Sequence, residues 1–122
     1  MVVVAACSGS AEPLVPDPGC AHVVEASIVP TGASYRVTAT ISSADTGWDK
    51  YADTWVVRTP DGFVLRRVEL AHPHTNEQPF TRTLTAVTIR PGEDVVEIAA
   101  RDSIEGFCGE IVVLDVPRSV DL

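Results

Sequence analysis

Two histidines separated by a single proline are the residues in this chain best suited to chemistry. In an extended segment, residues i and i+2 point to the same side, so His72 and His74 present two imidazoles together. Paired imidazoles are a common start for a Zn²⁺ or Cu²⁺ site. The alternative is a rigid loop whose imidazoles hydrogen-bond to the backbone. A third metal ligand would come from His22 or from a carboxylate: Glu77, Asp45, Asp49 or Asp102.

Three aromatic residues lie in segments rich in carboxylates, and this second pattern indicates a possible binding surface. Trp48, Tyr51 and Phe107 are candidates for a platform that binds a sugar or a peptide, because Tyr and Trp are favoured at binding hot spots. The alternative is that they plug the end of a hydrophobic core. The full candidate binding set is Trp48, Asp49, Tyr51, His72, His74, Glu77 and Phe107.

The sequence contains no recognisable catalytic motif. There is no GxSxG nucleophile elbow and no Gly-rich phosphate loop. Ser103 beside Asp102, together with a histidine, supplies only the residue types of a triad. We therefore expect no enzyme activity and no resident cofactor, with Zn or Cu as the alternative.

The three cysteines indicate where the protein is located and predict a disulfide bond. Cys20 and Cys108 are two thiols that an oxidising compartment can join as a disulfide, the alternative being two independent thiols with Cys108 buried beside Phe107. The run Val4-Ala5-Ala6-Cys7 resembles the lipobox of bacterial lipoproteins, which implies lipidation of Cys7. The preceding apolar run is short and lacks a basic residue, so we expect a truncated signal peptide, the alternative being an apolar tail with an idle cysteine. The small, polar, Pro-rich segment 8–19 suits a flexible tether.

Length and charge narrow the classes of partner. The 122 residues suit one domain, and a net charge of -8 disfavours nucleic acid and anionic membrane surfaces. Cations or cationic partners fit better. No apolar run approaches the roughly 20 residues that span a bilayer, so membrane association is expected only through a lipid anchor.

From position 21 onward, apolar and polar residues alternate with the period of a β-strand. Turn residues such as Pro60-Asp61-Gly62 divide the pattern, and phase changes at Arg66-Arg67 and Thr85-Ala86 indicate bulges. The pattern predicts an all-β, immunoglobulin- or fibronectin type III-like antiparallel β-sandwich, with Trp55 buried on the third strand. The seven predicted strands are 22–29, 33–43, 53–59, 62–71, 80–89, 94–102 and 110–116.

Strand parity predicts that the two ends of the sandwich differ. Antiparallel strands alternate in direction, so the long connections after strands two, four and six share one end, together with the start of strand one. This places Cys20 near Cys108 and gathers the histidines and aromatics there. Phe80 is expected in the core. Arg82 shares its parity, so its guanidinium is predicted to lie partly buried and to need a carboxylate such as Asp53 or Asp102.

Three motifs occur in order: GWDKYADTW, HPHTNEQPFTR and ARDSIEGFCG. The stretch that carries them resembles a family of small uncharacterised exported proteins of proteobacteria. The resemblance implies an exported sandwich and no particular chemistry. The predicted organisation is a lipobox-like start and tether at 1–20, a sandwich at 21–118 and a tail at 119–122. The expected location is periplasmic or cell-envelope, lipid-anchored and bacterial, with an unknown protein, peptide or glycan as the partner.

Overall fold

The alternating segments form seven strands in a computed structural model, which describes residues 19–117. Every predicted strand is confirmed, and each boundary lies within two residues of its predicted position. The strands are β1 (His22–Thr31), β2 (Ser34–Ser42), β3 (Ala52–Arg58), β4 (Val64–Glu69), β5 (Phe80–Val87), β6 (Val95–Asp102) and β7 (Val112–Asp115).

The strands build two antiparallel sheets. One has three strands in the order β1-β2-β5, and the other has four in the order β4-β3-β6-β7. The predicted all-β sandwich of seven strands is therefore confirmed. In the constant-type immunoglobulin arrangement the fourth strand joins the sheet of strands one, two and five. Here β4 pairs with β3 instead, with Trp55 opposite Val68.

The core lies between the sheets and is built from one face of each strand. Trp55 is fully buried, as predicted, and packs in one cluster with Ile41 of β2 and Ile98 of β6. Phe80 also enters this cluster, which confirms its prediction. Burying each large side chain of this kind contributes about 1.5–3 kcal/mol, so the inner faces hold the sheets together.

A β-bulge at the predicted phase change, Thr85-Ala86, reverses the side-chain alternation of β5 relative to the core. The register with β2 passes from Tyr35 opposite Val87 to Val37 opposite Leu84, so β5 holds one extra residue there. Ala86 adopts a φ of 56°, in the left-handed region. The bulge lets Leu84 and Val87 both face the core despite their odd spacing.

Some predictions concern residues outside 19–117. The lipidation of Cys7, the segment 8–18 of the tether and the tail at 119–122 lie outside the described residues. Within the part that the structure describes, no helix is long and apolar enough to cross a bilayer.

Candidate functional site

The three long connections meet at one end of the sandwich, which confirms the parity argument. Residues 43–51, 70–79 and 103–111 are joined to one another by hydrogen bonds. The Ser103 N–H donates to the Tyr51 carbonyl over 2.8 Å. The Ser43 N–H donates to Gln78 Oε1 over 2.9 Å, and that amide donates back to Ser43 Oγ over 3.1 Å. We call this assembly the long-loop end.

A buried ion pair fastens two of these connections. Asp102 ends β6 with its side chain fully buried, and its Oδ2 accepts a hydrogen bond from Lys50 Nζ over 2.7 Å. The same oxygen accepts the N–H groups of Ile104 and Glu105, over 3.0 and 2.9 Å. Lys50 Nζ also donates to the Gly19 carbonyl over 2.8 Å. One carboxylate thus fixes the turn after β6 and, through Lys50, the loop before β3.

The surroundings keep the Asp102 carboxylate ionised. Burial alone would raise its pKa, but the hydrogen bond from Lys50 and the N–H groups of Glu105 and Ile104 outweigh burial. The pKa of Asp102 is therefore held below its ordinary value.

The predicted disulfide between Cys20 and Cys108 is present, with the Cα atoms 5.5 Å apart. The backbone beside it explains this close approach. The Val23 N–H donates to the Glu110 carbonyl over 2.9 Å, so the start of β1 pairs with the segment before β7. A Cβ on Gly109 would lie 2.0 Å from the Ala21 carbonyl oxygen, so only glycine fits between the two segments.

Asp45 joins the loop before β3 to the loop before β5. Its Oδ1 accepts hydrogen bonds from Ser43 Oγ over 2.7 Å and from the Ala52 N–H over 2.9 Å. Its Oδ2 accepts the His74 N–H over 2.8 Å. The carboxylate is fully buried and therefore acts as a positioning group for the backbone rather than as a free ligand.

His74 is a buried structural histidine. Its ring stacks on Phe80 with centroids 3.9 Å apart and an interplanar angle of 11°. Its Nε2 lies 2.8 Å from a guanidinium nitrogen of Arg82. Because a guanidinium can only donate, Nε2 accepts and the proton of the neutral ring sits on Nδ1. The partner predicted for Arg82 was wrong: Asp53 pairs with Arg101, and Asp102 pairs with Lys50. Arg82 instead contacts His74 and the Phe80 ring, and it donates a hydrogen bond to the Thr81 carbonyl.

The same contacts set the protonation state of His74. Burial is the main cause that lowers its pKa below the ordinary value, and the positive charge of Arg82 adds to it. His74 is therefore neutral at pH 7.

The three histidines do not converge on one point, as the ligands of a metal ion would. The rings of His72 and His74 are neighbours, with centroids 4.7 Å apart, as their spacing predicts. His72 Nδ1 lies 3.0 Å from the Pro73 carbonyl, and His22 Nδ1 accepts the Glu110 N–H over 2.9 Å. Among residues 19–117, no group of three or more His, Cys, Asp or Glu side chains is arranged to hold a metal ion.

Trp48 and Tyr51 form an aromatic pair on the loop before β3, in which Trp48 is exposed and Tyr51 is half-buried. A tight turn pairs Gly47 with Lys50 and carries Trp48 and Asp49 outward. Trp48 is 68% exposed, and its ring meets Tyr51 nearly at right angles, with centroids 5.6 Å apart. A side chain so exposed does not plug the core.

The remaining candidates lie apart from this pair. Phe107 is 45% exposed, and its ring packs against the Arg58 guanidinium, 5.8 Å from the ring centroid. It makes no ring contact with Trp48 or Tyr51 within the described residues. Glu77 is exposed. The structure thus joins two of the three predicted aromatics.

Sequence reasoning missed the residues that hold the site in place. Lys50, Asp45 and Gln78 make most of the contacts between the loops, yet none was predicted as a positioning residue. One signal was available for Lys50, since it is the only lysine in a chain with 17 acidic residues. A single lysine between two loop aromatics indicates a specific ion pair rather than a solvated surface.

One curated relative matches this chain. A protein of Halomicrobium mukohataei described as "Putative lipoprotein" is 34% identical over 96 residues, which cover 78% of this chain and 47% of the relative. The chain therefore spans about half the length of the curated relative that it matches. That organism is a halophilic archaeon, so the comparison does not support the proteobacterial origin that the resemblance implied. No family model matches the chain. No solved structure matches it.

The disulfide is expected to stabilise the long-loop end strongly. It links residues 88 apart, for which the chain-entropy model gives about 4–5 kcal/mol as an upper value. We expect Cys20→Ser/Cys108→Ser to lower the free energy of unfolding in urea by about 3–4 kcal/mol. Reductant provides the control: it should destabilise the wild type and leave the stability of the double variant unchanged. Equal stability of the two oxidised proteins would contradict the assignment.

The buried His74 is expected to make the fold acid-sensitive. Its pKa is lowered on folding, so the unfolded chain binds more protons below pH 6.5. Stability is therefore complete above about pH 6.5 and falls as the pH drops toward the folded pKa. Urea unfolding of the wild type between pH 7.5 and pH 5 should show this loss, and His74→Gln should flatten it. His72→Gln should keep most of the slope, because burial and Arg82 are the larger causes. An unchanged slope in His74→Gln would contradict the assignment.

Proposed function

We propose that this chain is the folded module of an exported, lipid-anchored envelope protein that binds a partner through its long-loop end. Similarity to a protein described as a lipoprotein supports the anchor and the location. The Cys20–Cys108 disulfide supports an oxidising compartment outside the cytoplasm. The lipobox-like Cys7 is the proposed attachment site.

The exposed Trp48 is the observation that supports binding most directly. A tryptophan that is 68% exposed gains nothing from the core of its own domain. The turn that carries it is held by the Lys50–Asp102 ion pair, whose carboxylate is fully buried. A rigid, exposed aromatic side chain binds with little loss of conformational entropy. Trp48, Tyr51 and Asp49 are therefore the centre of the proposed site.

The metal-binding alternative has weaker support. The Nε2 of His74 already accepts a hydrogen bond from Arg82, and the guanidinium charge beside it opposes a second cation. His72 alone is left as an exposed imidazole at this position. Partner binding through the aromatic pair is the function that the geometry favours.

Capture from a membrane extract of the source organism tests the binding site. We expect the immobilised wild-type domain to retain one or more extract components that Trp48→Ala does not retain. Phe63→Ala is the matched control, because Phe63 is 52% exposed but lies on the turn between β3 and β4, at the opposite end. Circular dichroism would verify that both variants are folded. Equal capture by wild type and Trp48→Ala would contradict the proposal.

A further inference from the structure

The chain covers its phenylalanine rings with its own arginines. The Arg90 guanidinium carbon lies 4.4 Å from the centroid of Phe63. The corresponding distances are 5.3 Å from Arg82 to Phe80 and 5.8 Å from Arg58 to Phe107. All three phenylalanines of the sequence are thus engaged by a cation.

The aromatic pair at the long-loop end has no such partner among residues 19–117. The structure places neither an arginine nor a lysine over the ring of Trp48 or Tyr51. Lys50 is adjacent in sequence, but its ammonium group is bound to Asp102 and the Gly19 carbonyl. Indole is the ring that attracts cations most strongly, so the best cation–π acceptor on this surface is unoccupied within the described residues.

We infer that the long-loop end binds an arginine side chain of a protein partner, seated against Trp48 and Tyr51. The two rings stand 72° apart, so they form two walls of a corner rather than one flat platform. A flat pair of rings would suit the face of a sugar, whereas a corner lets a planar guanidinium stack on one ring while its edge contacts the other. This inference rests on the proposed function and adds the chemistry of the partner.

The negative charge near the two rings also favours an arginine. Asp49 is exposed and directly follows Trp48, so a carboxylate lies within one residue of the rings. The whole chain carries a net charge of -8, which attracts a basic segment and repels an acidic one. The planar guanidinium stacks on a ring while its N–H groups bond to a carboxylate, which a lysine ammonium does less well.

Calorimetry with a defined peptide tests the inference. The probe is a short N-acetylated, C-amidated peptide with two arginines separated by glycine, and its control carries citrulline, the neutral isostere, at the same positions. We expect the wild type to bind the arginine peptide about two- to fivefold more tightly than the citrulline peptide, the range of one cation–π contact at an exposed site. Trp48→Leu should reduce arginine-peptide binding by about the same factor.

Matched variants separate the site from general electrostatic attraction. Asp49→Asn should weaken arginine-peptide binding about two- to threefold at low ionic strength, since an exposed charge is screened. Asp115→Asn removes the same charge from β7 and should have a much smaller effect. Phe63→Leu should have no effect, because Phe63 is already covered by Arg90.

Three results would overturn the inference: equal affinity for the two peptides, no measurable affinity for the arginine peptide, or binding unchanged in Trp48→Leu. A hexasaccharide of N-acetylglucosamine in the same assay separates failure of the arginine inference from failure of the proposed binding site. If it binds in a Trp48-dependent manner and the arginine peptide does not, the arginine inference fails and the proposed binding site stands. If capture from the extract is also independent of Trp48, both fail.

Discussion

The long-loop end depends on one buried carboxylate. Asp102 is fully buried at the end of β6, and its Oδ2 accepts hydrogen bonds from Lys50 and from two backbone N–H groups of the following turn. Lys50 in turn holds the Gly19 carbonyl, next to the disulfide. Three parts of the chain that are distant in sequence are therefore fixed around one charge. Removing one partner from such a pair costs about 3–5 kcal/mol, because the other charge stays buried without compensation.

This constraint explains how the pair of exposed Trp48 and half-buried Tyr51 is held in place. Lys50 closes the tight turn that carries Trp48, so the same residue that neutralises Asp102 also orients the rings. Asp45 and Gln78 fasten the neighbouring loop by hydrogen bonds to Ser43 and His74. The rigid β-strands supply the base, and these polar contacts convert three long connections into one surface. The site is thus part of the folded frame and needs no partner to form.

The fold was predictable from the sequence because it depends on local patterns. Period-two alternation located all seven strands, and parity alone placed Cys20 beside Cys108, which the structure confirms. Side-chain partners were not predictable in the same way. Arg82 was expected to need a carboxylate, but its actual partner, the neutral His74, depends on a buried stack with Phe80 that no spacing rule encodes. The separation of Phe107 from Trp48 likewise depends on the path of residues 103–111, which alternation does not describe.

Amide hydrogen exchange at the turn after β6 tests most directly whether the Lys50–Asp102 pair holds the long-loop end. The Ile104 and Glu105 N–H groups both donate to Asp102 Oδ2, so their protection reports on that carboxylate. Lys50→Met keeps the length of the side chain and removes its charge. We predict that this variant loses protection at both amides while the amide of Val56, in the centre of β3, stays protected. Unchanged protection of Ile104 and Glu105 would contradict the central role of the ion pair.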